Sequence, residues 1–456
     1  MKTLFRIVAV LVVVGLAALA AIIFVPVQRT APSQDVAADW QPAEGQGRYA
    51  ALMADCAACH TAPGGKPFAG GRVIESPMGA IYTTNITPDK ETGIGTWSLD
   101  DFRAALIDGV DNKGRHLYPA MPYANYRHMN ETDIRALYAY FMNGVEPVSN
   151  KVNDTALPFP FNQRWGIRLW NWMALGDAGF KPASAPIAEN AHLVRGAYLV
   201  QVMGHCGSCH TPRNVFMAQA GKNETDASFL SGGEIGGWSA PDLRGPKSAP
   251  QAWAAEELKA YLTTGRNAHA AVGGEMALAV EHSLQFMSEE DANAMVAYLR
   301  AIGAEGPAND EPLTPRDDQA GGTVARLDAA NDPTSTKLKK AVDLSEGERL
   351  YLDNCAACHF VDGRGAPEVF PELKGNATVV ADQTGGLLHT ILYGAQMPST
   401  EERPERLHMP GFARRMSDEE VAALATFVRS AWGNEAPPVT AAEVAAMRKA
   451  GAPASH

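Results

Sequence analysis

Apolar residues follow two different patterns along this chain of 456 residues. Near the N-terminus, Lys2 and Arg6 precede an almost unbroken apolar run over residues 7–27. A helix needs about 20 such residues to cross a bilayer. Farther on, apolar residues recur at i, i+3, i+4 and i+7, the spacing of a helix that buries one face. The pattern therefore predicts one very apolar helix followed by amphipathic helices.

Three of the amphipathic helices share the same design. Each is preceded by a capping pair, a polar residue followed three positions later by an acidic one, which marks a helix start. The pairs are Asn130 with Asp133, Ser288 with Asp291, and Ser417 with Glu420. The apolar stripes are Ile134, Leu137, Tyr138 and Phe141; Ala292, Met295, Val296 and Leu299; and Val421, Leu424, Ala425 and Val428. An aromatic residue recurs at one register, as Tyr140, Tyr298 and Phe427. We therefore predict three copies of one helical unit.

A cysteine pentad precedes each of these helices. The pentads occupy residues 56–60, 206–210 and 355–359, and together they contain all six cysteines of the chain. The pattern C-x-x-C-H is the attachment signature of c-type haem, in which two thiols bond the porphyrin and the histidine ligates the iron. We predict three covalent haems, bonded by Cys56, Cys59, Cys206, Cys209, Cys355 and Cys358, with His60, His210 and His359 as iron ligands.

Other uses of paired cysteines fit this chain less well. A redox dithiol, a structural disulfide or half of a zinc site would each explain one C-x-x-C. A dithiol enzyme does not need a histidine after the second cysteine in every copy. A four-cysteine zinc site needs two pairs close in sequence, whereas these pairs start at residues 56, 206 and 355. The haem interpretation is favoured.

The arrangement around each pentad resembles the small cytochrome c fold. A short helical segment starting near Gly47, Gly196 or Gly347 leads into the pentad, and an amphipathic helix closes the unit. The expected fold is mainly α, with three tandem cytochrome c-like domains after an N-terminal hydrophobic helix. The predicted segments are an anchor or signal at 1–30, domains at 40–180, 190–302 and 343–435, a linker at 303–342 and a C-terminal tail at 436–456.

The second axial ligand of each iron is expected on the loop ahead of the closing helix. Methionine there is typical of electron-transferring cytochromes c. Met121, Met276 and Met409 lie at similar offsets before the closing helices, and Met397 is a rival in the third unit because a proline follows it as one follows Met409. Met129, Met287 and Met416 lie at the helix starts and are interpreted as packing residues. Bis-histidine ligation by another histidine stays open as the alternative.

Charge and the N-terminus suggest the location of the protein. The net charge of −12 argues against a nucleic-acid partner. The 21-residue length of the apolar run favours an uncleaved anchor over a removed signal peptide. Lys2 and Arg6 would stay cytoplasmic, which places the rest of the chain at the periplasmic face of the bacterial cytoplasmic membrane.

An aromatic segment over residues 159–173 has two interpretations. It contains Trp165, Trp170 and Trp172. Such a segment could meet a partner subunit or the membrane interface, where tryptophan is common. It could equally wrap the first domain and pack between domains, because aromatic residues mostly fill cores. We favour the second interpretation from the sequence.

Several longer strings resemble the tri-haem cytochrome c subunit of bacterial membrane-bound dehydrogenases, including those for alcohols, gluconate, sorbitol and fructose. The strings lie at residues 55–62, 67–71, 85–89, 93–97, 118–123, 157–164, 265–267 and 409–412, within a likeness that covers about 45–433. The resemblance implies an electron-transfer subunit without catalytic residues of its own. Its partners would be a catalytic subunit of flavin, quinoprotein or molybdenum type and, as acceptor, membrane quinone or a terminal oxidase.

Three other functions are alternatives to an electron-transfer subunit of a dehydrogenase. A haem peroxidase needs an iron with an open face, and three methionines at similar offsets count against it. A cytochrome subunit of an oxidase would offer one or two haem units and lacks the strings above. A stand-alone multihaem cytochrome stays open as the alternative.

Overall fold

The computed structural model describes residues 2–303 and 332–451. Most of the predicted linker, residues 304–331, and residues 452–456 of the predicted tail lie outside the described residues. The chain divides into two compact units. The first comprises Met1–Lys181 with Val215–Ala218, and the second comprises Pro182–Asn214 with Gln219–His456. The first unit holds one pentad and the second unit holds the other two.

The first unit is built from helices and one short hairpin. Its helices are α1 (Lys2–Phe24), α2 (Gln46–Met53), α3 (Cys56–His60), α4 (Leu99–Asp108), α5 (Tyr123–Tyr126), α6 (Glu131–Asn143) and α7 (Ile167–Ala174), with a 3-10 turn at Arg164–Gly166. Strand β1 (Val73–Ile74) pairs antiparallel with β2 (Ile81–Tyr82), so that Val73 faces Tyr82.

The second unit repeats this plan twice. Its first half contains α8 (Ala185–Ala188), α9 (Ala191–Tyr198) continued by a π-helical turn (Leu199–Met203), α10 (Gly207–His210), α11 (Ala249–Ala252), α12 (Ala255–Thr264), α13 (Glu275–His282), a 3-10 turn (Leu284–Phe286) and α14 (Glu289–Ala301). Strand β3 (Gly233–Ile235) pairs antiparallel with β4 (Trp238–Ala240).

Its second half contains the third pentad. The helices are α15 (Pro333–Lys340), α16 (Glu346–Asn354), α17 (Ala356–His359), α18 (Ala377–Val380), α19 (Gly385–Tyr393), α20 (Asp418–Ser430) and α21 (Ala441–Ala450), with a 3-10 turn at Ala431–Gly433. Strand β5 (Ala395–Gln396) pairs antiparallel with β6 (His408–Met409).

The closing helices α6, α14 and α20 begin directly after their predicted cap residues. Ser417 and Glu420 form the predicted reciprocal capping box, and Ser288 Oγ accepts a hydrogen bond from the Asp291 amide at 3.2 Å. Asn130 is the N-cap residue of α6, as predicted, but its side chain makes no cap bond. Its Oδ1 instead accepts from Gln34 Nε2 at 3.3 Å.

A glycine lies where each pentad-leading helix packs against its closing helix. The pairs are α2 with α6, α9 with α14, and α16 with α20. A Cβ on Gly47 would lie 2.7 Å from Tyr140 Cβ, one on Gly196 2.7 Å from Tyr298 Cβ, and one on Gly347 2.9 Å from Phe427 Cβ. Side-chain carbons do not approach this closely in packed interiors. The recurring aromatic is therefore the residue that covers the glycine.

The third core extends beyond its predicted boundaries. Leu338 of α15 and Val444 of α21 are buried in it, although the sequence interpretation assigned their segments to a linker and a tail. Arg429, fully buried near the end of α20, donates to the carbonyls of Val379 and Ala381, both at 2.8 Å, and of Pro437 at 2.7 Å. Because those carbonyls come from two chain segments, residues 379–381 and Pro437, one guanidinium holds the C-terminal segment against the core.

Backbone hydrogen bonds join the two repeats of the second unit. The Glu368 amide donates to Asn267 O at 3.1 Å, and the Glu372 amide donates to His269 O at 3.0 Å. Asn267 belongs to the string at 265–267 on which the family resemblance partly rests. These main-chain bonds hold the two repeats together, because both hydrogen bonds would break if the repeats separated.

The glycine contact predicts a position-specific loss of stability. Replacing Gly47 by alanine inserts a methyl group between α2 and α6, and overpacking of this kind costs about 1–3 kcal/mol. Gly166→Ala is the matched control, because a Cβ there would have no atom within 4 Å. Thermal unfolding followed by haem absorption should show a lower Tm for Gly47→Ala alone. Equal Tm values for both variants would contradict the helix-contact argument.

Candidate haem sites

The three pentads form or adjoin short helices directly after the helices that lead into them. Residues 56–60 form α3, 207–210 form α10 and 356–359 form α17. No disulfide joins the six cysteines. Over residues 2–303 and 332–451, no three His, Cys, Asp or Glu side chains gather as a metal-binding group.

Each pentad histidine makes the same hydrogen bond through Nδ1. His60 Nδ1 donates to Thr84 O at 2.7 Å, His210 Nδ1 to Pro241 O at 2.8 Å, and His359 Nδ1 to Pro371 O at 3.0 Å. A carbonyl can only accept, so the proton must be on Nδ1, and in a neutral imidazole Nε2 then has a free lone pair. An orienting bond of this type is usual for a histidine that ligates a metal.

A glycine with positive φ holds each histidine backbone beside its acceptor. The Gly70, Gly232 and Gly365 amides donate to the carbonyls of His60, His210 and His359 at 2.7, 2.8 and 3.2 Å. Their φ angles are +72°, +98° and +60°, which an L side chain adopts only with strain. In the first and third sites the position has room for nothing larger, because a Cβ on Gly70 would lie 2.6 Å from Thr84 O and one on Gly365 would lie 2.8 Å from Pro371 O.

In the first site, the loop that carries the acceptor is fixed by buried polar side chains. Asn85 Nδ2 donates to Val148 O at 2.7 Å and to Thr92 Oγ1 at 3.0 Å. Its Oδ1 accepts from the Thr87 amide at 2.9 Å. Asn85 and Thr87 belong to the string at 85–89 and are nearly inaccessible to solvent. Their role is to hold the neighbouring Thr84 carbonyl in place under the imidazole.

In the second and third sites, other local structures position the carbonyl that accepts from the pentad histidine. Pro241 follows directly after β4, so the β3–β4 hairpin positions it. In the third site, Trp432 Nε1 donates to Val361 O at 3.0 Å and Asn434 Nδ2 donates to Leu373 O at 3.1 Å. Both residues lie after the closing helix and bind the two ends of the loop that contains Pro371.

Burial sets the protonation state of the pentad cysteines and histidines. It raises the pKa of Cys56, Cys206 and Cys355 to about 12. It lowers the pKa of the three pentad histidines, while their carbonyl bonds act in the opposite direction. The imidazoles are therefore neutral at neutral pH, which is the form that binds a metal. Paired thiols beside a neutral, oriented imidazole fit the attachment of a c-type haem.

The predicted methionine ligands lie partly buried on segments before the closing helices. Met121 ends a turn in which its amide donates to Tyr118 O at 3.2 Å. Met276 is the second residue of α13. Met409 lies in β6 and packs against the third core. The rival Met397 has its sulfur 3.6 Å from Arg266 Nη1 in a hydrogen bond. Met129 and Met416 are buried, as their packing interpretation predicts, and Met287 is partly buried.

Sequence reasoning missed the three carbonyl acceptors and the three glycines. Each acceptor follows its histidine at a different separation, 24, 31 and 12 residues. A backbone carbonyl also carries no residue signature, so no pattern could have revealed it. The glycines were visible within strings such as 67–71, but their contact with a carbonyl appears only in three dimensions.

The cytochrome c family profile matches this chain three times, over residues 43–144, 193–303 and 344–432. Each match begins before a pentad and ends near the close of the following helix. The chain belongs to the cytochrome c family. The mainly α fold with three tandem cytochrome c domains is thereby confirmed, and such domains carry covalently bound haem.

Cytochrome subunits of dehydrogenases are among its relatives. The gluconate 2-dehydrogenase cytochrome c subunit of Pantoea cypripedii is 40% identical over 418 residues, 89% of each chain. The cytochrome c subunit of the quinone alcohol dehydrogenase of Gluconobacter oxydans is 38% identical over 90% of this chain and 83% of its own. The fructose dehydrogenase cytochrome subunit of Gluconobacter japonicus is 38% identical over 90% and 84%. The resemblance stated from the sequence is confirmed.

The glycine beside the first acceptor predicts a shift in one reduction potential. In a Gly70→Ala variant the new methyl group displaces the Thr84 carbonyl and weakens its bond to His60. A less polarised imidazole donates less to iron(III), so the potential of one haem should rise. Redox titration followed by absorption measures this potential.

Gly64→Ala is the matched control for that prediction. Gly64 also has positive φ, +67°, but a Cβ there would have no atom within 4 Å. It carries the backbone strain of about 1–2 kcal/mol without the contact. All potentials should stay unchanged in the control. The same shift in both variants would show that strain alone is responsible.

Proposed function

We propose that this protein is the electron-transfer subunit of a membrane-bound dehydrogenase and carries three covalent c-type haems. Electrons would come from a periplasmic catalytic subunit and leave to membrane quinone or a terminal oxidase. The observation that carries the proposal is the threefold site, in which an oriented neutral imidazole follows paired thiols. The relatives named above support the dehydrogenase assignment.

The proposed roles follow from the chemistry of each side chain. Cys56, Cys59, Cys206, Cys209, Cys355 and Cys358 would form thioether bonds to the haems. His60, His210 and His359 would bind iron through Nε2. When bound, each haem supplies a one-electron couple whose potential depends on its ligands and burial. The chain's own task is to hold each imidazole in one orientation, so that little rearrangement accompanies a change of charge.

Methionine sulfur is proposed as the second ligand at each site. In the third unit the choice lies between Met409 and Met397. Met397 sulfur accepts a hydrogen bond from Arg266, which competes with a metal for that sulfur. Met409 lies against the core that surrounds the third site. These contacts favour Met409, with Met121 and Met276 in the other two units.

The second and third haems would be held at a fixed separation. Their repeats share one compact unit and are joined through the main chain, by Glu368 to Asn267 and by Glu372 to His269. A rigid separation suits electron transfer, because the rate depends on the geometry between donor and acceptor. This arrangement supports a relay over a set of independent haem domains.

The N-terminal helix is proposed as an uncleaved anchor. Among the described residues, α1 alone is long and apolar enough to cross a membrane, and none of its residues is buried. A signal sequence would pass the same test. The length of the apolar run favours the anchor, and Lys2 and Arg6 would keep its N-terminus cytoplasmic. The haem domains would then lie on the periplasmic side.

The methionine assignment in the third unit predicts unequal effects of two substitutions. Met409→Ala removes the proposed sulfur ligand, so the far-red sulfur-to-iron band should lose the share of one haem and that haem's potential should fall. Met397→Ala is the control and should leave the band intact. Absorption and redox titration of the oxidised protein measure both. Loss of the band in Met397→Ala alone would reverse the assignment.

Haem number and partner are tested together on tagged full-length protein from solubilised membranes. Mass measurement after acid denaturation should show three haem adducts on this chain. A large flavin, quinoprotein or molybdenum subunit should co-purify, and addition of its substrate should reduce the haems. Gluconate, ethanol and fructose are the first substrates to try, given the relatives. Fewer adducts would contradict the haem assignment, and three adducts without any partner would favour a stand-alone cytochrome.

A further inference from the structure

Helix α7 buries Ile167, Asn171 and Ala174 on one face and leaves large apolar side chains exposed on the other. On the inner side, Asn171 is buried, and its Oδ1 accepts from Tyr123 Oη at 2.8 Å. On the outer side, Trp172 is 64% exposed and Met173 54% exposed, with Leu169 beside them. The polar contacts fix the helix to the first unit. Its apolar face is left without cover among the described residues.

Neighbouring loops enlarge this apolar surface. Phe159 and Phe161, just before α7, are 80% and 49% exposed. Trp170 Nε1 donates to Phe216 O at 2.9 Å, which holds the exposed Val215–Met217 segment beside α7. We call residues 159–161, the outer face of α7 and 215–217 the apolar patch. Soluble proteins that act alone rarely expose this many large apolar side chains on one surface.

Arg168 of α7 joins this patch to the end of the apolar N-terminal helix. Its Nη1 donates to Ile22 O at 2.9 Å and to Val25 O at 2.6 Å, and its Nη2 donates to Pro26 O at 3.1 Å. The last carbonyls of a helix have no partner within the helix, and a cation there is also favoured by the helix dipole. Arg168 therefore binds the C-terminal end of α1.

The segment that follows α1 is fastened to the same unit. Thr30 donates through its amide and its hydroxyl to the Asp108 carboxylate at 2.9 and 2.6 Å. Arg29 pairs with Asp101 at 2.6 Å, and Arg135 donates to Ala37 O at 2.9 Å. The end of α1 is thus held beside α7 by several independent contacts, and not by Arg168 alone.

From these contacts we infer that the apolar patch lies in the membrane interface, with α7 flat against the lipid headgroups on the periplasmic side. The inference rests on the proposed membrane anchor. If α1 crosses the bilayer, its C-terminal end marks the level of the headgroups, and α7 is bonded to that end. Tryptophan prefers this level, and a helix with one apolar face binds there in the plane of the membrane.

A lipid surface explains this geometry better than a protein partner. If α1 crosses the bilayer, the patch lies close to where that helix enters, so lipid is the surface nearest to it. The patch also includes the residues next to Arg168, whose charge suits the zone between apolar chains and water. The consequence is a cytochrome held at a defined orientation to the membrane, with its first domain nearest the lipid.

The natural cysteines make a direct test possible. Because all six are assigned to thioether bonds, one introduced cysteine would be the only free thiol in the haem-loaded full chain. Nitroxide labels at Trp172→Cys and Met173→Cys would report on the patch, Val14→Cys on the middle of α1, and Glu91→Cys on an exposed loop. The haem-loaded protein would be placed in phosphatidylethanolamine–phosphatidylglycerol vesicles, and an unchanged haem spectrum would confirm folding.

The measurement compares collisions of each label with oxygen, which enters lipid, and with a water-soluble nickel chelate. We expect the oxygen-to-nickel ratio at residues 172 and 173 to be several-fold above that at residue 91 and below that at residue 14. A lipid-like ratio at 14 with water-like ratios at 172 and 173 would overturn the inference and leave the anchor standing. A water-like ratio at 14 would overturn both. Shielding at 172 only when the catalytic subunit is present would assign the patch to that protein.

Discussion

The close approach of two helices over a glycine is the constraint on which each domain depends. Gly47, Gly196 and Gly347 let a pentad-leading helix lie against a closing helix, with Tyr140, Tyr298 or Phe427 covering the contact. Each pentad follows directly after that leading helix. The position of the two thiols and the imidazole relative to the domain core is therefore set by this one contact, and it is repeated three times with the same residue types.

The second shared constraint acts on the histidine itself. A positive-φ glycine binds the histidine carbonyl and lies against the acceptor of its Nδ1 proton in the first and third sites, and Gly232 plays the corresponding part in the second. The surroundings that supply the acceptor differ, from buried amides near Asn85 to a hairpin and a loop held by Trp432. In the first two sites the acceptor follows a hairpin, and in the third it lies in a loop, so the same bond is kept while its surroundings differ.

Much of this architecture follows from the sequence, and the exceptions have physical reasons. The closing helices and their starts were predictable because apolar period and capping residues are local signals, as at Ser417. Asn130 also marks the start of α6, but its side-chain oxygen accepts from Gln34, 96 residues away in sequence, and makes no cap bond. The packing of Leu338 and Val444 into the third core depends on tertiary burial, and the acceptor carbonyls have no side-chain signature at all. Local signals are readable in one dimension, while contacts between distant segments are not.

The separation between each histidine and its acceptor has a bearing on how these domains can diverge. It is 24 and 31 residues in the first two sites, where a hairpin and loops intervene, and 12 in the third. Loop closure becomes only slowly more costly as a loop lengthens, so long surface connections tolerate added residues. Insertions and grafted segments should be accepted between histidine and carbonyl in the first two domains. The third domain, with its short connection, offers evolution or an engineer far less freedom there.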